Sequence, residues 1–340
     1  MRWLTWRQFR IPALAAAVLL ILAGGYLLSL GSDIREAYDT YQSHCDDPGD
    51  CARAENEFRE SYKNTLLFLA AGLNLIPVAI GTFWGAPLIA RELETGTHRL
   101  VWNQTVTRRR WLLTKLAIIA VACVLVAGLT SAMLTWAAAP YDEVAQDRFS
   151  TLVFGARHIA PIGYAVLAFT LGAIIGLLIR RTLPAMAVTS VVVIAIQFAA
   201  PNFVRPELLS PEAAAVPMTA ETINQATNLG NITGGASIGG VQVPGAPDAW
   251  VSSTSPLRTA DGQPLDKATF NDCLDTPPDT GAGGRFGDAA VCLGDLDLHV
   301  AIEYQPGERY WPLQGLETGL FLALSALLAS FGVWYIRRVS

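Results

Sequence analysis

The stretch WLLTKLAIIAVACVLVAGLTSAMLTWAAA, residues 111–139, decides the fold. Its apolar residues run as one block, where a soluble helix would space them in short clusters on one face. A helix rises about 1.5 Å per residue and the hydrocarbon core is roughly 30 Å thick, so about 20 such residues cross a bilayer. Working outward, five more segments meet that length: 11–30, 64–84, 158–179, 184–202 and 312–335. Buried helices of a soluble protein give apolar runs of only about 10–14 residues. Lipid tolerates no unpaired backbone groups, so the six segments are helices. Composition agrees: of 340 residues 52% are hydrophobic and 16% charged, with mean hydropathy +0.35.

Arg2, Arg7 and Arg10 ahead of the first apolar run also fit a signal peptide, but no A-x-A site closes that run. An uncleaved anchor is expected, with Trp3, Trp6 and Phe9 along the interface. Orientation follows from Lys and Arg in short loops. With the N-terminus inside, pieces 1–10, 85–115, 180–184 and 336–340 hold thirteen basic residues. The short outside pieces, 31–63 and 140–157, hold six over the same total length. Both termini are therefore predicted to be cytoplasmic. The net charge of −5 is a sum of a basic inner and an acidic outer surface. Cysteine placement fits the same topology, with Cys45, Cys51, Cys273 and Cys292 in predicted outside segments and Cys123 within the third span. Disulfides are expected there, Cys45 with Cys51 and Cys273 with Cys292 as near neighbours, though four cysteines allow three pairings.

Residues 203–311 form an insertion rich in Pro, Gly, Asp, Asn and Thr, with turns at Asp261-Gly262 and Pro277-Pro278. Residues 228–245 read as loop, 299–304 alternate as a strand would, and Asn231-Ile232-Thr233 fits a glycosylation acceptor. The predicted fold is an all-α membrane protein: six transmembrane helices with an extracytoplasmic, loop-rich insertion between helices 5 and 6. The domains are then 1–202 with a cytoplasmic loop at 85–110, the insertion 203–311, and 312–340 with the last helix and tail.

Chemistry inside the spans is sparse. Polar groups there include Asn74, Gln197, Gln314 and Glu317, the last two one turn apart. They are the candidates for a substrate path or gate. For Glu317 two readings stand side by side: a substrate or gating contact, or a carboxylate that anchors an interhelical network or pairs with an outer-loop basic residue. His44, His98, His158 and His299 are isolated from one another in sequence, so no metal cluster is expected. H-E-x-x-H and any Gly-Lys dipeptide are missing, so neither a zinc protease of that kind nor a Walker-type nucleotide-binding loop is encoded. No catalytic residue is predicted, and any ATP must be bound by another polypeptide.

The first inside loop, GAPLIARELETGTHRLVWNQTVTRRRWLLTK, residues 85–115, is long and mixes both charge signs. Arg91, Glu92, Leu93, Glu94 and Thr95 read as a short helix broken by Gly96, followed by an amphipathic stretch from 97 to about 106. Arg108, Arg109, Arg110 and Lys115 mark the return to the membrane. A surface helix of this kind suits a soluble partner. Arg91-Glu92, Gly96-Thr97 and the basic run after a polar stretch resemble the loop after span two of ABC-2-type transporter permeases. Tyr304-Gln305-Pro306, Arg309-Tyr310-Trp311 and Gln314-x-x-Glu317 resemble actinobacterial permeases of this type. The resemblance implies the permease subunit of an ABC exporter that moves a hydrophobic or amphipathic substrate out of the cell. It implies coupling to a cytoplasmic ABC ATPase through Arg91, Glu92, Glu94, Gly96, Thr97 and Arg108, with ATP and Mg held by that partner and no cofactor on this chain. A second permease copy or a paralogue and membrane lipids are the other expected partners, and no nucleic acid. The alternative is a membrane-anchored sensor or assembly factor with an extracytoplasmic ligand-binding domain.

Overall fold

Among the described residues, six helical segments are long and apolar enough to cross a membrane: Phe9–Ser43, Arg53–Glu94, Arg108–Ala145, Ala160–Ile179, Thr182–Leu208 and Gly307–Ile336. The computed structural model describes residues 2–45, 48–97, 107–232, 235–246, 248–275 and 283–338. Most of the predicted amphipathic stretch at 97–106, together with His98, Thr233 and the Pro277-Pro278 turn, lies outside the described residues.

Helix α1 (Arg2–Ser43) and helix α2 (Pro48–Ala79) both run far beyond the apolar segments that reveal them. Hydropathy measures only the lipid-facing length. Residues beyond it stay helical because they gain their own core: Phe58 is buried among Tyr38, Tyr41, Tyr62 and Tyr141, with ring centroids 5.6–6.2 Å apart. A disulfide between Cys45 and Cys51 closes the turn between the two helices.

The loop predicted from residue 85 begins later. After α2 the chain passes through a π-helical stretch, Ile80–Gly85, directly into α3 (Ala86–Glu94). Pro87 follows two residues after the π stretch and has no N–H to donate to the preceding turn, a usual setting for such a local change of helix. Helix α4 (Arg108–Ala145), a short α5 (Thr151–Ala156), α6 (Ala160–Ile179) and α7 (Thr182–Ala199) follow. The fifth span does not stop at 202. It continues through π-helical Ala200–Val204 and the 3-10 turn Arg205–Leu208, which brings Arg205 into the bundle rather than the insertion.

Helix α6 is the central one, with 72% of its apolar core buried against 17–33% in the other five spans. Its glycines let the π stretch approach backbone to backbone. A Cβ on Gly172 would lie 2.3 Å from the Gly81 carbonyl oxygen, and one on Gly176 would lie 2.4 Å from that of Ala86.

The chain divides into two compact units, residues 1–208 with 311–340, and residues 209–310. The second unit is α/β, not the loop-rich part of an all-α protein. An antiparallel sheet in the order β1-β5-β4 joins β1 (Glu212–Pro217), β4 (Trp250–Thr254) and β5 (His299–Gln305). A hairpin pairs β2 (Asn228–Ile232) with β3 (Gly235–Gly239), within the stretch read as loop. Short helices α8 (Ala220–Gln225), α9 (Lys267–Leu274) and α10 (Gly287–Gly294) complete it. Its core gathers Val216, Ile223, Leu257, Phe270, Leu293, Val300 and Ile302, and a disulfide between Cys273 and Cys292 ties α9 to α10. Only β5 announces itself by alternation. The strands EAAAVP and GASIG have weak β propensity and are held by their partners. The last helix, α11 (Tyr310–Ile336), forms the sixth span.

Candidate functional site

Functional candidates fall at the two ends of the membrane bundle. At the first, α3 stops where Thr95 donates both its N–H and its hydroxyl to the Arg91 carbonyl oxygen, at 3.0 and 2.8 Å. Gly96 then takes φ +70°, the left-handed conformation that a glycine adopts after a helix C-terminus. On the far side of the loop, the Thr107 hydroxyl caps α4 by accepting from the Arg110 N–H at 3.3 Å.

Two carboxylates anchor the end of α3. Glu92 is buried and accepts from the Lys115 ammonium of α4, which also lies 4.8 Å from the centre of the buried Trp111 ring. Glu94 accepts from the Thr182 N–H at 2.9 Å and the Thr182 hydroxyl at 2.6 Å. A carboxylate at the first residue of α7 meets the positive end of that helix. The end of the second span is thus bonded to the third and fifth spans together. Of the six residues predicted to couple to a partner, Glu92 is buried in the bundle, and Glu94, itself exposed, is bonded to the start of α7. Arg91 and Thr97 are exposed beside Gly96, and Arg108 opens α4. Arg91, Thr95 and Thr97 edge a cleft of about 530 Å³ whose apolar wall includes Phe9, Trp84 and Leu88.

At the opposite end the sixth span carries its carboxylate into a network. Glu317 and Gln314 are fully buried, one helical turn apart on α11. Glu317 accepts from Arg205 Nε at 2.8 Å and Nη2 at 3.2 Å, and from the Tyr164 hydroxyl at 2.6 Å. The Arg205 guanidinium stacks 3.8 Å from the centre of the Phe154 ring. Gln314 accepts from the Ala160 N–H at 2.8 Å and donates to the Phe154 carbonyl at 3.1 Å. Four elements (α5, α6, the end of the fifth span and α11) are joined by these groups. Nearby, Arg157 pairs with Asp142 at 2.5 Å with both side chains largely buried. His158, just ahead of α6, sits at φ +58° with its ring 4.7 Å from that of Trp311. Burial first, then the Arg157 and Arg148 charges, push its imidazole down to about 4.

Asn74 and Gln197, the other two path or gate candidates, meet each other. Gln197 donates to the Asn74 backbone oxygen at 2.6 Å, and the Asn74 amide donates to the Ala70 and Leu152 carbonyls at 2.9 Å each. All four polar candidates therefore bond helix to helix. Sequence reasoning missed Arg205, Tyr164, Arg157 and Asp142, because each stands at or past the margin of an apolar run or is an ordinary span tyrosine. The available signal was an uncompensated carboxylate at 317, which in lipid demands a cation.

Six helices long and apolar enough to cross a bilayer, tied to one another by buried polar groups, mark a multi-pass membrane protein. The family model described as ABC-2 membrane transporter related matches residues 16–205, more than half of the chain, and the chain belongs to that family. A search of curated proteins and a search of solved structures each found no match. The matched residues take in the first five spans and the α3 end, and stop at Arg205.

Proposed function

We propose that this chain is the permease subunit of an ABC exporter that moves a hydrophobic or amphipathic substrate outward, driven by a separately encoded ATPase that holds ATP and Mg. The observation that carries the reading is the grip on the end of α3. Glu92 bonds to α4 and Glu94 to α7, so force applied at residues 95–107 reaches three spans at once. Arg91, Gly96, Thr97 and Arg108 offer the contact to the ATPase, while Glu92 and Glu94 transmit. The termini lie in the cytoplasm and residues 209–310 outside, which the two disulfides support, since such bonds persist in oxidising compartments. A second copy or a paralogue completes the translocation path. The Arg205, Glu317 and Tyr164 network is the outer closure of that path, broken when the spans separate.

Co-expression with a candidate ATPase tests the reading. Replacing residues 97–106 by a Gly/Ser linker of equal length leaves the anchored end of α3 intact and is expected to abolish capture of the ATPase. Undiminished capture by the linker variant would overturn the assignment of this loop.

A further inference from the structure

The first turns of α4 and the last turns of α11 enclose a groove of about 360 Å³ that neither the transport reading nor the family assigns. Its lining is mostly apolar, Leu113, Ala329, Val333 and Trp334, with Ser330 whose hydroxyl donates to the Ala326 carbonyl at 2.8 Å. Its rim carries two guanidinium groups, Arg109 from α4 and Arg337 from the end of α11. Leu113 lies four residues after Arg109, and Val333 and Trp334 lie four and three before Arg337, so each helix presents a charge above an apolar stripe. Leu113 and Trp334 remain 40% and 48% exposed, which in a spanning bundle means exposed to lipid. Trp334 is held at the rim by the Arg338 guanidinium, 4.1 Å from the centre of its ring.

Both rim arginines are exposed, and neither forms an ion pair or hydrogen bond among the described residues. The carboxylates of Glu92 and Glu94, at the same end of the bundle, are occupied by Lys115 and Thr182. Two cations without a partner among the described residues, above an apolar slot open to the acyl region, match one kind of molecule in both halves. A soluble anion would use the arginines and leave the slot empty, and a neutral lipid would fill the slot and leave the charge uncompensated. We propose that this groove binds an anionic phospholipid, its phosphate between Arg109 and Arg337 and one acyl chain along Leu113, Ala329 and Val333.

Native mass spectrometry of the full chain in detergent tests this, with phosphatidylglycerol and phosphatidylcholine as paired probes and inorganic phosphate as competitor. At roughly five-fold per interfacial arginine, Arg109→Ala with Arg337→Ala is expected to weaken phosphatidylglycerol binding about twenty-five-fold, with phosphatidylcholine binding unchanged. Arg109→Lys with Arg337→Lys keeps the charge but loses the bidentate fork, so it should fall between the two. Leu113→Gln should weaken phosphatidylglycerol while leaving both arginines in place. Equal retention of the two lipids by the unmodified chain, full retention by the double alanine variant, or displacement of phosphatidylglycerol by inorganic phosphate would each overturn the proposal. Circular dichroism of each variant, the double alanine variant included, checks that it is folded, so that a loss caused by misfolding is not counted.

Discussion

Removing the Glu317 carboxylate is the sharpest perturbation of the bundle. In Glu317→Ala the Arg205 guanidinium, only 1% exposed, keeps its charge and loses both bonds, at 2.8 and 3.2 Å. Tyr164 loses its acceptor at the same time. Stranding one member of a buried ion pair costs about 3–5 kcal/mol. At roughly 2–4 °C per kcal/mol for a unit of this size, the unfolding midpoint in detergent should fall by about 6–20 °C. The cost belongs to the uncompensated charge rather than to lost attraction, so removing the whole set behaves differently. Arg205→Met, Glu317→Leu and Tyr164→Phe together leave no orphaned group and should unfold close to the unmodified protein. Midpoints from circular dichroism for the single and triple variants decide it. If Glu317→Ala unfolded within 2 °C of the parent, or if the triple variant were the least stable, the reasoning from buried charge would be wrong.

Gly172→Ala should destabilise by about 1–3 kcal/mol, since its Cβ would meet backbone atoms of Gly81 and Ala86 at 2.3 and 2.9 Å. Gly25→Ala, with no atom within 4 Å of the new Cβ, is the control and should leave the same thermal midpoint unchanged. His158, held down to about 4 against an ordinary 6.5, should stay neutral at pH 5.5 in a nitrogen-15 histidine NMR titration. Because the unfolded chain binds that proton first, stability should decline as pH falls from about 6.5 toward 4 and not between 7 and 8. Cys273→Ala with Cys292→Ala removes the tie between α9 and α10 and costs residues 209–310 about 2–5 kcal/mol. Limited proteolysis should then cut within 209–310 first, while the spanning helices survive.

Much of the membrane part was legible in the sequence because lipid imposes a one-dimensional rule: length of apolar run sets the crossings. That rule says nothing about where a helix stops. Residues 31–43 and 53–63 are polar yet helical, because Phe58 and its tyrosine neighbours give them a core that hydropathy cannot register. The same limit hid Arg205, which follows Pro201 and looks like the start of an insertion until the π-helical turn carries the helix through it. Gln314 and Glu317 were visible as polar residues on one face, but the partners of Glu317 come from 153 and 112 positions away and those of Gln314 from 154 and 160, separations no local pattern encodes. At the α3 end, residue types identified the segment and its break at Gly96. That Glu92 and Glu94 are each bonded to a neighbouring helix depends on Lys115 and Thr182, which belong to other spans. Residues 209–310 were the least legible, since strands built from Ala, Gly and Ser carry little propensity of their own.

The central claim is that a separate ATPase acts on this bundle through residues 95–107. Gln146→Cys and Phe203→Cys place two labels on exposed positions at the far end, and the native cysteines do not interfere: four are in disulfides and Cys123 is buried. Pulsed electron spin resonance on the reconstituted permease and ATPase then reads the distance between the labels with and without ATP. A shift on adding ATP that disappears when residues 97–106 are replaced by a Gly/Ser linker is the predicted result. A shift of the same size in the linker variant, or none in the unmodified complex, would contradict it.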